Sequence, residues 1–419
     1  MKLIVSLLSW IIITFNRSAS KISVGPIYFT DITMLFGILL NPRQVFYLII
    51  KNWPILFFII IGLSWLVIDL STGNGDGFEI RRFAFSFYML LPIIFLANSK
   101  IIYNITLNKI LISATLILLL YCISFNNFIP TISCQILSVF IMVILLYTNK
   151  YDYKLLYLLF VFIFICFGLL GQGLYKTPLL GITLASLALF ILNSYRFIFK
   201  HGEIKKIYIV CFQWIIAFLA LFLAVTDLGG EIIAEALYAI SGLINSSYFS
   251  ELASYFSDAQ LRERGSSQDT AQTRVFFWMG ILDHSKNEVI IFLFGNGHGS
   301  SFLDLIFPYY IFNDTHLVEP HNSFIGAFFR YGVIGLILLF LSMYISRKVA
   351  YEIYKIKPSI EKNIVFSIIA INYAMFEVAL ESPHGAFIFW FIWLLPYLLN
   401  ENSLITNQGT EHENTHSAQ

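Results

Sequence analysis

Charge is what this sequence lacks most. Only 12% of its 419 residues are Asp, Glu, Lys or Arg, while 58% are hydrophobic, against about 25% charged in a typical soluble protein. A water-soluble fold of this length cannot hide so much apolar surface, but a bilayer can. Neither sign of charge dominates, since the formal net charge is +1. Neither a basic nucleic-acid surface nor an acidic interaction tail is indicated. Cysteine is also scarce. Cys122, Cys134, Cys166 and Cys211 sit in or beside apolar runs without metal-ligand spacing. They read as small core hydrophobes, with a Cys122–Cys134 disulfide as a secondary option. His284, His298 and His316 match no zinc spacing. No internal repeat is evident, which argues against an inverted-repeat transporter.

What the sequence does have is long apolar runs. A membrane-spanning helix needs about 20 mainly apolar residues. Allowing for short cores, twelve segments qualify: 3–16, 22–40, 53–70, 83–98, 107–122, 132–148, 155–171, 178–195, 207–225, 322–345, 363–381 and 385–399. Positions 2–19 mimic a secretory signal, with a lysine, an apolar stretch and a small-residue end. Because eleven further apolar segments follow, the first is read as a retained span. The expected organisation is an all-α integral membrane protein with spans 1–9 over residues 1–225, one large outer loop over 226–320, spans 10–12 over 321–399, and a polar, disordered tail over 400–419.

Lys and Arg orient this arrangement. Connections after even-numbered spans hold Arg43 and Lys51; Lys100; Lys150 and Lys154; Arg196, Lys200, Lys205 and Lys206; and Arg347, Lys348, Lys355 and Lys357. Those after odd-numbered spans hold fewer, chiefly Arg17, Lys21, Arg81, Arg82 and Lys176. The positive-inside rule puts both termini in the cytoplasm and the long loop outside. That loop carries twelve acidic residues against four basic ones, so it is no anionic-lipid patch. Its segment EIIAEALYAISGLI suits a helix along the membrane surface. Farther on, RVFFWMGILDH reads as helix and GNGHGSS as a tight turn without the strand-and-helix setting of a nucleotide loop.

The most informative passage is Glu319-Pro320-His321-Asn322-Ser323. Proline precedes the tenth span, and Asn322 or Ser323 can cap it. His321 then sits at the positive end of a helix dipole, which favours anions and a neutral imidazole. That suits a general base acting on a phosphate-bearing substrate; an interfacial histidine that only hydrogen-bonds is the plainer alternative. Arg262, Arg264 and Arg274 are the loop's arginines, and a guanidinium fork binds phosphate oxygens bidentately. Solvated charges paired with Asp258, Glu263 or Asp269 are the alternative for the first two. Arg274 opens an aromatic helix with Trp278 one turn on. Arg330 lies about two turns inside the tenth span, where a charge marks a function or a pair. Glu377 and Glu381, one turn apart on the eleventh, are its candidate partners. Arg81 and Arg82 end the second outer loop, where they snorkel or add charge to an anionic site.

These residues resemble the O-antigen polymerase and ligase superfamily of bacterial envelope glycosyltransferases. Its members have about twelve spans and one long outer loop late in the chain. That loop carries an arginine before an aromatic helix, a Gly-x-Gly turn, and a His-Asn pair opening a span that continues with Gly-x-x-Gly. Here the elements read TRVFFWMGIL, LFGNGHGSS and EPHNSFIGAFFRYGVIGLILLF. The resemblance implies a GT-C-like fold and transfer of a glycan from undecaprenyl diphosphate, with no cofactor, metal or nucleotide-sugar donor. It implies that Arg274 binds the diphosphate and His321 assists the acceptor hydroxyl. Arg262, Arg264, Lys176, Asn322 and Arg82 would add diphosphate contacts, with Arg330, Glu377 and Glu381 supporting. The family's Ser-Arg-Gly passage near the eighth span is replaced by GLLGQGLYKTPLLG, where Lys176 neutralises charge without the planar fork. Expected partners are the lipid-linked oligosaccharide, membrane lipid, and a flippase and chain-length regulator of the same pathway. The competing expectations are a ligase that passes finished polymer to a lipid A core, and a lipid-linked glycan flippase or transporter.

Overall fold

The computed structural model describes residues 12, 23–24, 27–73, 79–98, scattered positions within 181–192, and then 267–299, 301–306, 320–355, 357–376 and 379–398. Arg262, Arg264, Lys176, Glu377, the four cysteines and the expected spans between 107 and 171 and at 207–225 lie outside them. Apart from one two-residue strand pair, β1 (Ser23–Val24) with antiparallel β2 (Ile27–Tyr28), the described elements are helices. In chain order they are α1 (Phe29–Leu40), α2 (Pro42–Lys51), α3 (Trp53–Thr72), α4 (Glu79–Tyr88), α5 (Leu91–Ala97), α6 (Ser267–Lys286), α7 (Val289–Phe294), α8 (Phe302–Ile306), α9 (Ser323–Tyr354), α10 (Ile360–Phe376) and α11 (Pro383–Leu398).

Among the described residues, α3 and α9 are each long and apolar enough to cross a membrane, and the number reaches four if two bent pairs each make one span. These pairs depart from the expected spans for local reasons. α1 and α2 meet at 97°, so the expected cytoplasmic loop after residue 40 is itself helical. Pro42 starts α2 afresh, because its missing N–H and fixed φ suit a first turn and not a continuing one. The corner is held by Asn41, which donates to Asn98 Oδ1 at 2.8 Å, and by Asn98, which donates to Gly37 O at 2.9 Å. α4 and α5 bend by 41° before Pro92. Because α4 begins at Glu79, Arg81 and Arg82 belong to a helix and not to the outer loop expected for them.

α9 runs 32 residues, well past the expected end at 345, and takes Arg347 and Lys348 into the helix. Arg347 lies over the Trp393 ring at 3.6 Å and donates to Trp393 O and Ser367 Oγ. α10 ends at Phe376, so Glu381 stands in the turn before α11 and not on a helix. α11, PHGAFIFWFIWLLPYL, is apolar on every side and buried from Phe387 to Leu398. A helix of that kind has to be surrounded, and α5, α9 and α10 pack against it. In lipid this close fit is held by dispersion more than by the hydrophobic effect.

α3 and α9 are antiparallel neighbours. Lys51 pairs with Glu352 at one end, and Asp69 approaches Arg330 at the other. From Glu352 to Gly332 the helix rises about 30 Å at 1.5 Å per residue, the thickness of a hydrocarbon core. α3 turns Leu63, Val67, Ile68 and Leu70 outward, while its exposed Ser64 donates back to Ile60 O, as a hydroxyl facing lipid should.

Candidate functional site

Two polar groupings lie on the N-terminal part of α9, one at its tip and one about two turns further along. The tip is built by capping. Asn322 accepts from Phe324 N at 3.0 Å and Ile325 N at 3.1 Å, one of the two caps anticipated from the sequence. Asn322 is buried, and its cap occupies two of the helix-end donors that an anion would otherwise use. The tip therefore contributes mainly its dipole to any anion. Ser323 Oγ donates to Glu381 Oε2 at 2.5 Å and accepts from Ala379 N and Leu380 N. This ties the start of α9 to the turn after α10. Glu381, expected near Arg330, is bonded here to Ser323.

His321 precedes this cap with φ 51°, a left-handed conformation that is uncommon for any residue but glycine and costs about 1–3 kcal/mol. The surrounding contacts hold it there. Trp278 Nε1 on α6 donates to Pro320 O at 2.9 Å, immediately before His321. One turn earlier on the same helix, Arg274 Nη1 donates to Phe376 O at 2.7 Å, and Trp278 packs against the Phe376 ring with centroids 6.3 Å apart. Arg274 and His321 are thus anchored by one helix and one helix end to the same junction. Both are partly exposed. One guanidinium N–H neutralises a helix C-terminal carbonyl, and Arg274 Nε, itself buried, has no hydrogen-bond partner among the described residues.

The second grouping is sealed. α9 breaks at Gly332 (φ 65°, ψ −164°), which interrupts the ladder that would supply donors to nearby carbonyls. The glycine-rich loop 295–299 provides them: Asn296 N donates to Phe329 O at 2.8 Å and Gly297 N to Arg330 O at 3.1 Å. The approach requires glycines, because a side chain on Gly295 would collide with the Arg330 backbone and one on Gly332 with the Leu293 backbone. Arg330 Nη1 returns a bond to Gly297 O at 3.2 Å, Arg82 Nη1 donates to His298 O at 2.9 Å, and Asp69 Oδ2 accepts from His298 N at 2.7 Å. Glu79 and Arg330 both lie within electrostatic range of Asp69. Two carboxylates and two guanidiniums are buried together, the composition that a low-dielectric pocket tolerates.

His298 sits in the middle at 0% exposure, between the rings of Phe83 and Tyr331. Burial, reinforced by Arg330 and Arg82, pushes its imidazole down to about 3; it is neutral at any physiological pH. His284 Nε2 shares a hydrogen bond with Asn296 Oδ1, so α6 supports the loop as well as the tip.

Arg274, His321, Asn322 and Glu381 are therefore brought together, whereas Arg82 and Arg330 belong to the sealed group. Asp69, Glu79 and His298 were not singled out from the sequence as site residues. Their signal was weak but present: each is polar and lies near the end of an apolar run or in the glycine turn. Among the described residues no three His, Cys, Asp or Glu side chains come together as a metal-holding group. Compared with protein-family models and with curated proteins, the chain matches none.

Proposed function

We propose that this chain is a membrane glycosyltransferase that joins undecaprenyl-diphosphate-linked oligosaccharide repeat units, an O-antigen or capsule polysaccharide polymerase of a bacterial inner membrane. On this reading the fold is GT-C-like with twelve spans, both termini are cytoplasmic, and the loop 226–320 is periplasmic. The observation that carries it is the common anchoring of Arg274 and His321 beside the capped end of α9. A fixed cation and a partly exposed imidazole at the mouth of a spanning helix are what transfer from a lipid diphosphate needs.

The acceptor hydroxyl of one lipid-linked unit attacks the anomeric carbon of the other chain as the bond from that carbon to the diphosphate oxygen breaks. The hydroxyl proton passes to His321, and the bonding pair leaves with the diphosphate. Negative charge develops on the departing oxygen, where preorganised donors are most effective. Arg274 supplies that charge through the N–H groups not engaged by Phe376, with Arg262, Arg264 and Lys176 as further cations. The dipole of α9 adds to it without its capped N–H groups. No metal is required, so the activity survives chelators; loss in EDTA that magnesium or zinc restores would count against the scheme.

A deletion strain tests the reading. Loss of a polymerase leaves single capped repeats on the acceptor. Loss of a ligase leaves finished polymer on its lipid carrier, which would assign the same residues to the other activity. If repeats instead accumulate on the cytoplasmic side, the chain is a flippase and the glycosyltransferase reading fails.

A further inference from the structure

α7 is a single apolar turn and a half, VIIFLF, in which no residue is buried. Val289 is 73% exposed and Ile290 69%, and Phe292, Leu293 and Phe294 are exposed with them. In water such a surface at the end of a loop would be a liability. The turn immediately before it is polar: Asp283, Lys286, Asn287 and Glu288 are exposed, with Lys286 bonded to Asp283.

Its depth can be read from its neighbours. The Leu293 backbone lies against Gly332, and the Phe292 and Phe328 rings meet edge to face at 5.9 Å. α7 is therefore level with the break in α9, about 30 Å above Glu352 by helix rise, which is the outer border of a hydrocarbon core anchored at the Lys51–Glu352 contact. Laterally it adjoins α3, since Trp65 Nε1 donates to Phe294 O at 2.9 Å. Ile68, one turn from Trp65 on the same side of α3, is likewise turned outward, so the exposed apolar surface of α3 borders that of α7.

We propose that α7 is a membrane-inserted foot of the outer loop, with its apolar residues among the acyl chains of the outer leaflet and the Asp283–Glu288 turn at headgroup level. This follows from the pattern of an interfacial helix, apolar below and charged above. The inference does not depend on the glycosyltransferase reading. Its consequence is mechanical: the loop 295–299, which holds Arg330 and Arg82 in place, begins one residue after the foot, so lipid contact fixes the loop against α9.

The test uses the full chain with its four cysteines replaced by serine and Ile290→Cys labelled with an environment-sensitive fluorophore, reconstituted in phosphatidylcholine–phosphatidylglycerol nanodiscs. Lipid doxylated near the headgroup is expected to quench the label more than aqueous iodide does, with the emission shifted to the blue. Quenching by iodide and not by doxyl lipid would place α7 in water, and protection from both would mean that protein covers it; either overturns the proposal. Should the cysteine-free chain not fold, hydroxyl-radical footprinting of the native chain in the same nanodiscs decides. Phe292 and Phe294 should be oxidised as little as Phe57 on α3, and oxidation at the level of free phenylalanine in solution would refute the insertion.

Discussion

The tip of α9 and the sealed group on its next turns lie about 10 Å apart along one helix, and each contains arginine and histidine. At the tip, Arg274 and His321 are partly exposed, and both are held at the junction of α6, α9 and α10. In the sealed group, Arg330 and His298 are at 1% and 0% exposure, and the loop 295–299 closes over them. The same residue types therefore differ in their access to solvent. On the proposed reading the pair at the tip carries the chemistry, while the inner group keeps a broken helix and a glycine loop in register.

That comparison can be broken first at Arg330. Arg330→Ala leaves Asp69 and Glu79 without that cation and frees Gly297 O, a change that costs about 3–5 kcal/mol when a buried pair loses one partner. Little monodisperse protein should survive extraction and size-exclusion chromatography. A variant as stable as wild type would mean that the inner group is not structural. The tip should behave oppositely. His321→Ala is expected to lower polymerisation by about 10²–10⁴-fold and Arg274→Ala by about 10²–10³-fold, with membrane levels and chromatographic behaviour unchanged. Normal polymer ladders in either variant would remove that residue from the chemistry.

The buried imidazole supplies a third, smaller effect. His298 is neutral in the folded chain down to about pH 3, whereas the unfolded chain takes up a proton near 6.5. Its contribution is therefore complete above pH 6.5 and is lost as pH falls towards 3, by up to ~1.4 kcal/mol per pH unit. The apparent Tm should fall faster between pH 7 and pH 5 for wild type than for His298→Phe; equal slopes would contradict the assignment. Smallest is the cap. Asn322→Ala should cost ~1 kcal/mol, seen as a lower apparent Tm, and Asn322→Asp should largely restore it.

Much of this was legible in the sequence where the signal is local. α3 and α9 follow from unbroken apolar runs, and the Pro320–Ser323 cap from residue types at consecutive positions. The helical character of RVFFWMGILDH also lies inside α6. The limits of α4 and α9 were missed because polar residues such as Arg82 and Arg347 read as loop, whereas tertiary partners hold them in helices. The inner group was not legible because it depends on contacts among 69, 82, 298 and 330, far apart in the chain. GNGHG was read as a turn, which it is; its insertion against Gly332 becomes visible only once α7 and α9 are packed together. Glu381 was read as helical by its spacing from Glu377, but it stands in the turn before α11, where it accepts from Ser323.

The central claim, that Arg274 and His321 transfer a glycan from a lipid diphosphate, is tested most directly with the purified chain in proteoliposomes loaded with undecaprenyl-diphosphate-linked repeat units. Wild type should form new glycosidic bonds and release undecaprenyl diphosphate in step with them, and His321→Ala should do neither. Movement of the lipid-linked units across the bilayer without new bonds, or unchanged polymer from His321→Ala, would contradict the account.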